Sequence, residues 1–499
     1  MSSIKKLAGQ TMWYGVSSIA ARFINYLLTP YLTFKFSVAQ YGEMSIVYAF
    51  IPFMNIVFTY GLETAFFRYS NTTDKNKVYN TTSVSLLIST LLFGFGMYLF
   101  QGPIARLLRI EEHVEYITLS IGIIALDALS TMAFAKLRLD GRPRKFALIK
   151  VAGILINVAS VYFFLSVCPD IKAKNPDGFI GSFFDPEWAV GYSLLANLIQ
   201  SAITLLLLSK EWLSFKWKFD TVLWKQMMRY SLPLIIVGFG GMINETLDRI
   251  MLNWWAPGGT EEATKEATGI YSACYKLAIL ISLSIQAFRM GAEPFFFKQA
   301  ADGNAAKTYA RVMKFFVITI CFMFLGVALY LDIWKHFIRK PEMWVGLKVV
   351  PILLLANMFL GIYYNLSIWY KLTNKTMVGA TITLIGAAIT IIVNYLFIPH
   401  FSYMACAWAT FLCYGTMMVL SFTWGQKAYP IPYAWKKLIA YIVIVVLLYL
   451  LHAAFTWIGL NNWFNHIFGT FLLFAFGWFI LLVERKEFRQ LPFIGKYLR

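Results

Sequence analysis

Residues Leu438 to Trp457 read LIAYIVIVVLLYLLHAAFTW, an unbroken apolar run that no lysine, arginine, aspartate or glutamate interrupts. An α-helix advances about 1.5 Å per residue, so a run of about 20 residues covers the hydrocarbon core of a bilayer, which is about 30 Å thick. This stretch therefore predicts a transmembrane helix.

Runs of this kind recur along the whole chain. Of its 499 residues, 59% are hydrophobic and 14% are charged, whereas about a quarter of the residues in a soluble domain are charged. We predict an all-α membrane protein with about 14 transmembrane helices. The predicted spans are Trp13–Phe34, Ile46–Phe66, Val84–Phe100, Ile117–Ala135, Phe146–Val167, Ala189–Leu208, Leu232–Trp254, Ile270–Met290, Phe315–Leu331, Val349–Trp369, Met377–Phe397, Ala405–Trp424, Leu438–Trp457 and Phe468–Val483.

Lysines and arginines give the chain a net charge of +19, and their positions predict its orientation. With the N-terminus in the cytoplasm, basic residues fall on the cytoplasmic side about three times as often as on the other side, in keeping with the positive-inside rule. Both termini are then predicted to be cytoplasmic. Because topology explains the positive charge, we expect no nucleic-acid partner.

The two halves of the chain share residues at one constant spacing. The matching pairs are Arg22 with Arg249, Gly42 with Gly269, Ser45 with Ser272, and Tyr48 with Tyr275. Further along, Glu63 matches Glu293 and Gly153 matches Gly386 at slightly larger spacings. Six helices separate the copies, so both copies begin in the same direction and are related by an axis along the membrane normal. Such repeats predict two lobes that rock about a substrate cavity.

This repeat divides the chain into four predicted parts. Residues 1–209 form a first lobe of six helices, and residues 210–229 form a cytoplasmic linker that is either an amphipathic interfacial helix or a basic loop. Residues 230–426 form a second lobe of six helices. Residues 427–499 supply two further helices and a cytoplasmic tail.

Several charged residues fall inside the predicted spans, where each costs roughly 2.5–3.5 kcal/mol unless it meets a cavity or a partner. A cavity lined with basic groups suits a phosphate-bearing anion, and the candidates for it are Arg22, Arg249, Lys276 and Arg289. Acidic groups could couple transport to H⁺ or Na⁺, and the candidates are Asp127, Glu245 and Asp248.

Structural explanations compete with these roles. Glu245 and Arg249 are one helical turn apart and can pair with each other. Glu63 and Glu293 lie close to Arg68 and Lys298, respectively, and are expected to form ion pairs at helix ends. Arg289 can reach the membrane surface by extending its side chain.

The chain lacks the common signatures of catalysis. It has no G-x-x-x-x-G-K-[ST] nucleotide loop, no G-x-S-x-G motif and no spacing of histidines and cysteines that suits a metal. We therefore expect no enzyme activity, no cofactor and no metal site. A membrane glycosyltransferase or polymerase is the weak alternative.

Several motifs resemble the polysaccharide transporter family. In the second half they are YSLPL at 230–234, NETLDR at 244–249, GIYSACYK at 269–276 and EPFFF at 293–297. In the first half, GLETAFFR at 61–68 and LRLDGRPRK at 137–145 also resemble bacterial members. This family belongs to the multidrug/oligosaccharidyl-lipid/polysaccharide exporter superfamily, whose fold is two six-helix lobes arranged in a V. The two predicted C-terminal helices, Leu438–Trp457 and Phe468–Val483, resemble the extra pair of helices of the lipid II flippase.

The resemblance implies a Wzx-type flippase of the bacterial inner membrane. Such a protein moves undecaprenyl-pyrophosphate-linked oligosaccharide units across the membrane for O-antigen, capsule or exopolysaccharide assembly. Its partners would be this substrate, membrane lipids, and the polymerase and glycosyltransferases of the same pathway. The alternatives within the superfamily are a lipid II flippase and a cation-coupled multidrug antiporter, which would need an apolar or acidic cavity.

Overall fold

Helices make up every regular element that this computed structural model describes, in residue 15 and residues 19–300, 303–459 and 462–489. The predicted all-α class is therefore confirmed. A helix satisfies its backbone hydrogen bonds internally, as a segment surrounded by lipid must. The main helices of the first half are α1 (Thr29–Lys35, preceded by helical residues 19–27), α2 (Val38–Thr59), α3 (Lys75–Leu99), α4 (Glu115–Leu139), α5 (Pro143–Tyr162) and α6 (Ala189–Leu207).

The second half and the C-terminal part contain eight further main helices. They are α7 (Thr221–Trp255), α8 (Glu261–Gln299), α9 (Ala305–Ala328), α10 (Val350–Leu366), α11 (Thr376–Phe401), α12 (Tyr403–Ala428), α13 (Trp435–Trp457) and α14 (Asn462–Val483). Short helical segments lie between them or after them: Leu62–Tyr69, Gln101–Leu108, Glu111–His113, Phe163–Val167, Cys168–Lys174, Phe179–Phe183, Pro186–Trp188, Ser209–Trp212, Leu331–Trp334, Lys335–Phe337, Pro341–Val349, Ile368–Leu372 and Arg485–Phe488.

Twelve helices in the described part of the chain are long and apolar enough to cross a membrane. The chain is therefore a multi-pass membrane protein. Of the remaining predicted spans, Trp13–Phe34 lies partly outside the described residues. The other, Leu232–Trp254, lies within α7. This helix is continuous over 35 residues, but its apolar sequence contains the charged residues Glu245, Asp248 and Arg249. The exact count of fourteen remains a prediction.

Contacts near the ends of the helices define two ends of the bundle. At the end we call upper, Lys340 donates to the carbonyl of Phe36 at 2.8 Å, and Asn253 donates to the carbonyl of Leu108 at 2.8 Å. At the end we call lower, Tyr79 donates to the carbonyl of Glu211 at 2.7 Å. The lower end is the one predicted to face the cytoplasm.

The two halves meet where α2 crosses α8 near the upper end, at a contact we call the glycine crossing. A Cβ added to Gly42 would collide with the carbonyl of Lys265, and one added to Gly269 would collide with the carbonyl of Val38. Only glycine permits this approach of one backbone to another. Beside the crossing, the buried side chains of Glu43 and Lys265 form an ion pair at 3.2 Å between the halves.

Other members of the repeat also make matching contacts. Glu63 pairs with Arg138 at the end of α4, and Glu293 pairs with Lys371 in the segment that follows α10, at 2.5 Å. The expected pairings of Glu63 with Arg68 and of Glu293 with Lys298 are therefore wrong. Glu63 pairs with a residue of another helix, and Glu293 pairs both with Lys371 and with Arg289, which lies one turn before it on α8.

Helix α7 packs against both halves. In its lower part, Trp224 donates to Ser85 at 2.8 Å, and Tyr69 donates to the carbonyl of Gln226 at 3.1 Å. In its upper part, Asn244 donates to the carbonyl of Thr383 at 3.1 Å. The internal Pro233 separates the two parts. Residues 213–220, within the predicted linker, are not helical, and α7 begins at Thr221.

Helices α13 and α14 are joined to α9 at the lower end by a buried carboxylate. Glu484, which follows α14, binds Lys314 of α9 at 2.8 Å and Lys437 of α13 at 2.6 Å, and it accepts a hydrogen bond from Tyr441 at 2.5 Å. Burial acts to raise the pKa of Glu484, but the hydrogen bonds from these three partners outweigh it and lower the pKa.

Candidate functional site

Arg249 lies on the upper part of α7 in a nearly buried polar cluster. Its Nη1 atom lies 3.1 Å from Oδ1 of Asp248, and the other oxygen of Asp248 accepts a hydrogen bond from Tyr271 of α8 at 2.5 Å. The guanidinium also lies over the ring of Tyr275, 4.5 Å from its centroid. A cation over an aromatic face gains attraction from the ring quadrupole. Two tyrosines of α8 thus fix both members of the ion pair.

Glu245 does not pair with Arg249 through its carboxylate, so the structural explanation considered for these two residues is wrong. Arg249 donates instead to the main-chain carbonyl of Glu245 at 2.8 Å. Asp248, held in place by Tyr271, takes the position of the counter-ion. The Glu245 side chain is exposed and has no ion pair in the described part of the chain.

Lys276 follows Tyr275 on α8 and lies within electrostatic reach of Arg249. Its side chain is half-buried. Among the described residues, no carboxylate and no hydrogen-bond acceptor pairs with its ammonium group. Two cations near each other in a membrane-spanning region repel, so the arrangement is most favourable when an anion lies between them.

Arg289 lies further down α8, toward the lower end. Its guanidinium is 4.6 Å from the ring centroid of Tyr364 on α10, and its Nε atom is 3.0 Å from the Glu293 carboxylate, which Lys371 also binds. This side chain is held by an aromatic ring and an ion pair while it remains exposed, so the expected reach to the surface is compatible with the structure.

Arg249 on α7 and Lys276 and Arg289 on α8 make up a group of basic residues that we call the basic strip. Glu245 connects its two ends, because its carboxylate lies within electrostatic reach of Arg249 and Tyr275 on one side and of Tyr364 on the other. The strip thus alternates guanidinium groups with tyrosine rings. Such groups suit the oxygens of a phosphate and the apolar faces of sugars.

Arg22 lies apart from the contacts of the basic strip. It is exposed in the helical residues 19–27, and the group it acts on electrostatically is Lys150 of α5. Asp127 of α4 also acts on Lys150, and its carboxylate accepts a hydrogen bond from Ser201 of α6 at 2.8 Å. The first half therefore has its own polar group, made of Arg22, Asp127, Lys150 and Ser201.

Sequence reasoning missed Lys150 and the tyrosines. Lys150 lies only a few residues inside a predicted span, where a lysine is easily taken for a helix-end residue. Tyr271, Tyr275 and Tyr364 gave no signal by composition, because aromatic residues are common throughout the chain. A signal was present in the repeat, since Tyr275 matches Tyr48 at the same spacing that relates Arg249 to Arg22.

Comparison with known sequences gives one family and one distant relative. Residues 7–300 match the family described as polysaccharide biosynthesis protein. The chain is 23% identical over 401 residues to the Lsg locus putative protein 1 of Haemophilus influenzae, which covers 79% of this chain and 85% of that protein.

Comparison with solved structures concerns the fold. The inward closed conformation of the lipid II flippase MurJ superimposes with a TM-score of 0.67 at 13% identity, covering 95% of this chain and 99% of that one. An inward-facing multidrug resistance MATE family transporter of the MOP superfamily gives a TM-score of 0.55 at 13% identity, covering 85% and 93%. The chain therefore has the fold of these transporters.

Proposed function

Because the chain belongs to the polysaccharide biosynthesis protein family, we propose that it is a flippase for an undecaprenyl-pyrophosphate-linked oligosaccharide. It moves this lipid from the inner to the outer leaflet of the bacterial inner membrane by alternating access. The product then serves the assembly of O-antigen, capsule or exopolysaccharide. The polymerase and glycosyltransferases of that pathway are its expected partners, and both termini are cytoplasmic.

The observation that carries this proposal is the unpaired ammonium group of Lys276 beside Arg249. A pyrophosphate placed there would supply the counter-ion that Lys276 lacks, whereas Arg249 already has Asp248. The tyrosines beneath Arg249 and Arg289 would contact the first sugars. Arg22 is the proposed counterpart in the first half, which would meet the substrate when the lobes close on it.

The fold supports a lipid substrate over a drug. Similarity to the lipid II flippase extends over 95% of the chain, whereas similarity to the multidrug transporter extends over 85%. A basic strip also disfavours the cationic compounds that a multidrug antiporter exports. Lipid II carries the same pyrophosphate group, so it remains the second candidate substrate. No step of this transport requires the chain to act as an enzyme.

Transport would be driven by H⁺ or Na⁺ through carboxylates that change charge as the lobes move. Glu245 and Asp127 are the stronger of the three candidates, because Asp248 is already bound by Arg249 and Tyr271. Glu245 connects the two ends of the basic strip, so its protonation would alter the local charge that the substrate meets.

The test is leaflet exchange of a fluorescent undecaprenyl-pyrophosphate oligosaccharide in proteoliposomes. We expect the wild type to exchange it, Lys276→Gln to lose at least about tenfold in rate, and Lys298→Gln, an exposed lysine on the same helix, to match the wild type. Failure of the wild type with this lipid, together with efflux of a cationic dye, would assign the protein to the multidrug branch. Exchange of lipid II alone would select the second candidate.

A further inference from the structure

A cavity of about 550 Å³ opens at the lower end, away from the basic strip. It lies between the first turns of α3 and the non-helical residues 213–220, which we call the strap. Its lining includes Lys77, Asn80 and Thr81 from α3, and Lys216 and Lys218 from the strap. The proposed function gives this cavity no role.

The acidic groups of the cavity are already engaged. Asp74 caps α3 by accepting from the main-chain N–H of Asn76 at 2.7 Å. Asp220 caps α7 through the N–H of Leu223 at 2.7 Å and also binds Lys77 at 2.5 Å. These hydrogen bonds lower the pKa of Asp220, and the one from Leu223 has the largest effect. Asp220 therefore stays ionised and serves as the cap of α7.

Two lysines remain available to a ligand. Lys216 and Lys218 are exposed, and in the described part of the chain neither ammonium group has an ion pair or a hydrogen bond. The backbone of the strap is fixed nonetheless, because the N–H of Lys216 donates to Asn80 at 2.8 Å and that of Asp220 donates to Thr81 at 3.3 Å. The lysines therefore extend from a rigid frame.

Large apolar side chains alternate with these lysines. Trp217 is 72% exposed, Leu213 is 68% exposed and Phe219 is 44% exposed. The strap lies between the short helix Ser209–Trp212, which follows the membrane-spanning α6, and the start of α7, which places it at the level of the membrane surface. Exposed tryptophan and phenylalanine beside lysine are typical of a segment whose rings enter the interface while its cations stay near the headgroups.

We propose that the strap binds an anionic phospholipid, with the headgroup phosphate in the cavity between Lys216 and Lys218. Asn80 and Thr81 line the same cavity and offer polar contacts to the headgroup. The acyl chains lie along Trp217 and Phe219 and continue into the membrane. A soluble anion would use the lysines but would gain nothing from the exposed rings, so the structure favours a lipid.

Binding would also affect how the halves are joined. The strap is anchored to α3 of the first half and leads into the capped start of α7. A lipid held there fixes the lower part of α7 against the first half. This inference does not depend on which substrate the protein transports.

The experiment is native mass spectrometry of the purified full-length protein titrated with phosphatidylglycerol or phosphatidylcholine. We expect the wild type to prefer phosphatidylglycerol, and Lys216→Gln/Lys218→Gln to lose about tenfold or more of that preference. Lys225→Gln/Arg229→Gln is the matched control, because it removes the same charge from exposed positions on the adjacent turns of α7, outside the cavity lining. Its preference should equal that of the wild type.

Three outcomes would overturn the proposal. Equal loss in both double variants would mean that the charge acts diffusely. Displacement of the lipid by millimolar glycerol phosphate would mean that the cavity binds a soluble anion. No preference in the wild type would mean that no such site exists. Thermal unfolding of each variant, compared with that of the wild type, separates loss of the site from loss of the fold.

Discussion

Glu484 is a single residue that holds three helices together at the lower end. It is 2% exposed and is bound by two lysines and a tyrosine. Replacing it with glutamine removes the buried counter-ion of Lys437 and leaves Lys314 with the partly exposed Glu487, which is costly. We expect Glu484→Gln to destabilise the protein by about 2–3 kcal/mol, measured as a lower unfolding temperature in detergent.

The neighbouring Glu487 provides the control. It binds Arg311 at 2.8 Å and Lys314 at 3.1 Å but is partly exposed, so Glu487→Gln should cost about 1 kcal/mol or less. Equal effects of the two variants would contradict the role given to Glu484.

The same residue predicts a dependence of stability on pH. The pKa of Glu484 is lower in the folded protein than in the unfolded chain, so its contribution is complete above the unfolded value of about 4.3. It is lost as the pH falls through the lower, folded value. The drop in unfolding temperature on acidification below about pH 4.3 should therefore be smaller in Glu484→Gln than in the wild type. Identical drops would argue against this origin.

Glu245 and Asp127 can be tested separately as coupling groups. If one of them couples transport, its amide variant, Glu245→Gln or Asp127→Asn, should exchange lipid at a rate independent of an imposed proton or sodium gradient. Glu262→Gln, an exposed residue at the upper end, should keep the dependence of the wild type. A full gradient response in both amide variants would exclude both carboxylates.

At the scale of helices, the glycine crossing makes a prediction about backbone contact. A methyl group at Gly269 would collide with the carbonyl of Val38, and main-chain atoms cannot rotate away. We expect Gly269→Ala to separate α2 from α8 and to destabilise the protein by about 1–3 kcal/mol. Gly291→Ala lies on the same helix with open space around it and should be close to neutral or slightly stabilising. Similar unfolding temperatures for the two variants would refute the crossing.

Helices were also what the sequence predicted best. Apolar length alone predicted a span that overlaps each of the twelve spanning helices, because a lipid environment requires long apolar helices. The predicted Ile46–Phe66 was misplaced at its ends, since α2 begins at Val38 and ends at Thr59. Pairings between helices were predicted poorly. Lys150 lies near Asp127, and Lys371 binds Glu293, because separate helices pack together. Such pairs are far apart in the sequence, so proximity along the chain does not predict them.

The repeat was the exception, since it carried information about distant contacts. Gly42 and Gly269 were matched by spacing alone, and they lie against each other in the structure. Arg22 and Arg249 were matched in the same way, but their surroundings differ. Arg249 is paired with Asp248, whereas Arg22 lies within electrostatic reach of Lys150. Pseudo-symmetry therefore predicted positions of the backbone better than roles of side chains.

At the scale of the whole molecule, the alternating access that we propose would require the contact between α2 and α8 at the upper end to open. The buried pair Glu43–Lys265 holds this contact closed. Cysteines at both positions, joined by a short bifunctional methanethiosulfonate, should stop lipid exchange, and dithiothreitol should restore it. Each single cysteine variant treated with the same reagent is the control. Undiminished exchange in the crosslinked protein would mean that the upper contact does not move during transport.

The glycine crossing has one more consequence, for the history of the chain. A residue that touches its own counterpart in the other repeat lies on the axis that relates the repeats, and Gly42 and Gly269 are such residues. In a symmetric dimer of two half-length polypeptides, one glycine would meet its own copy on the twofold axis. The crossing is what the duplication and fusion of such an ancestral gene would leave behind. The strap, at the boundary between the halves, would then mark the fusion point, where separately expressed halves should reassemble.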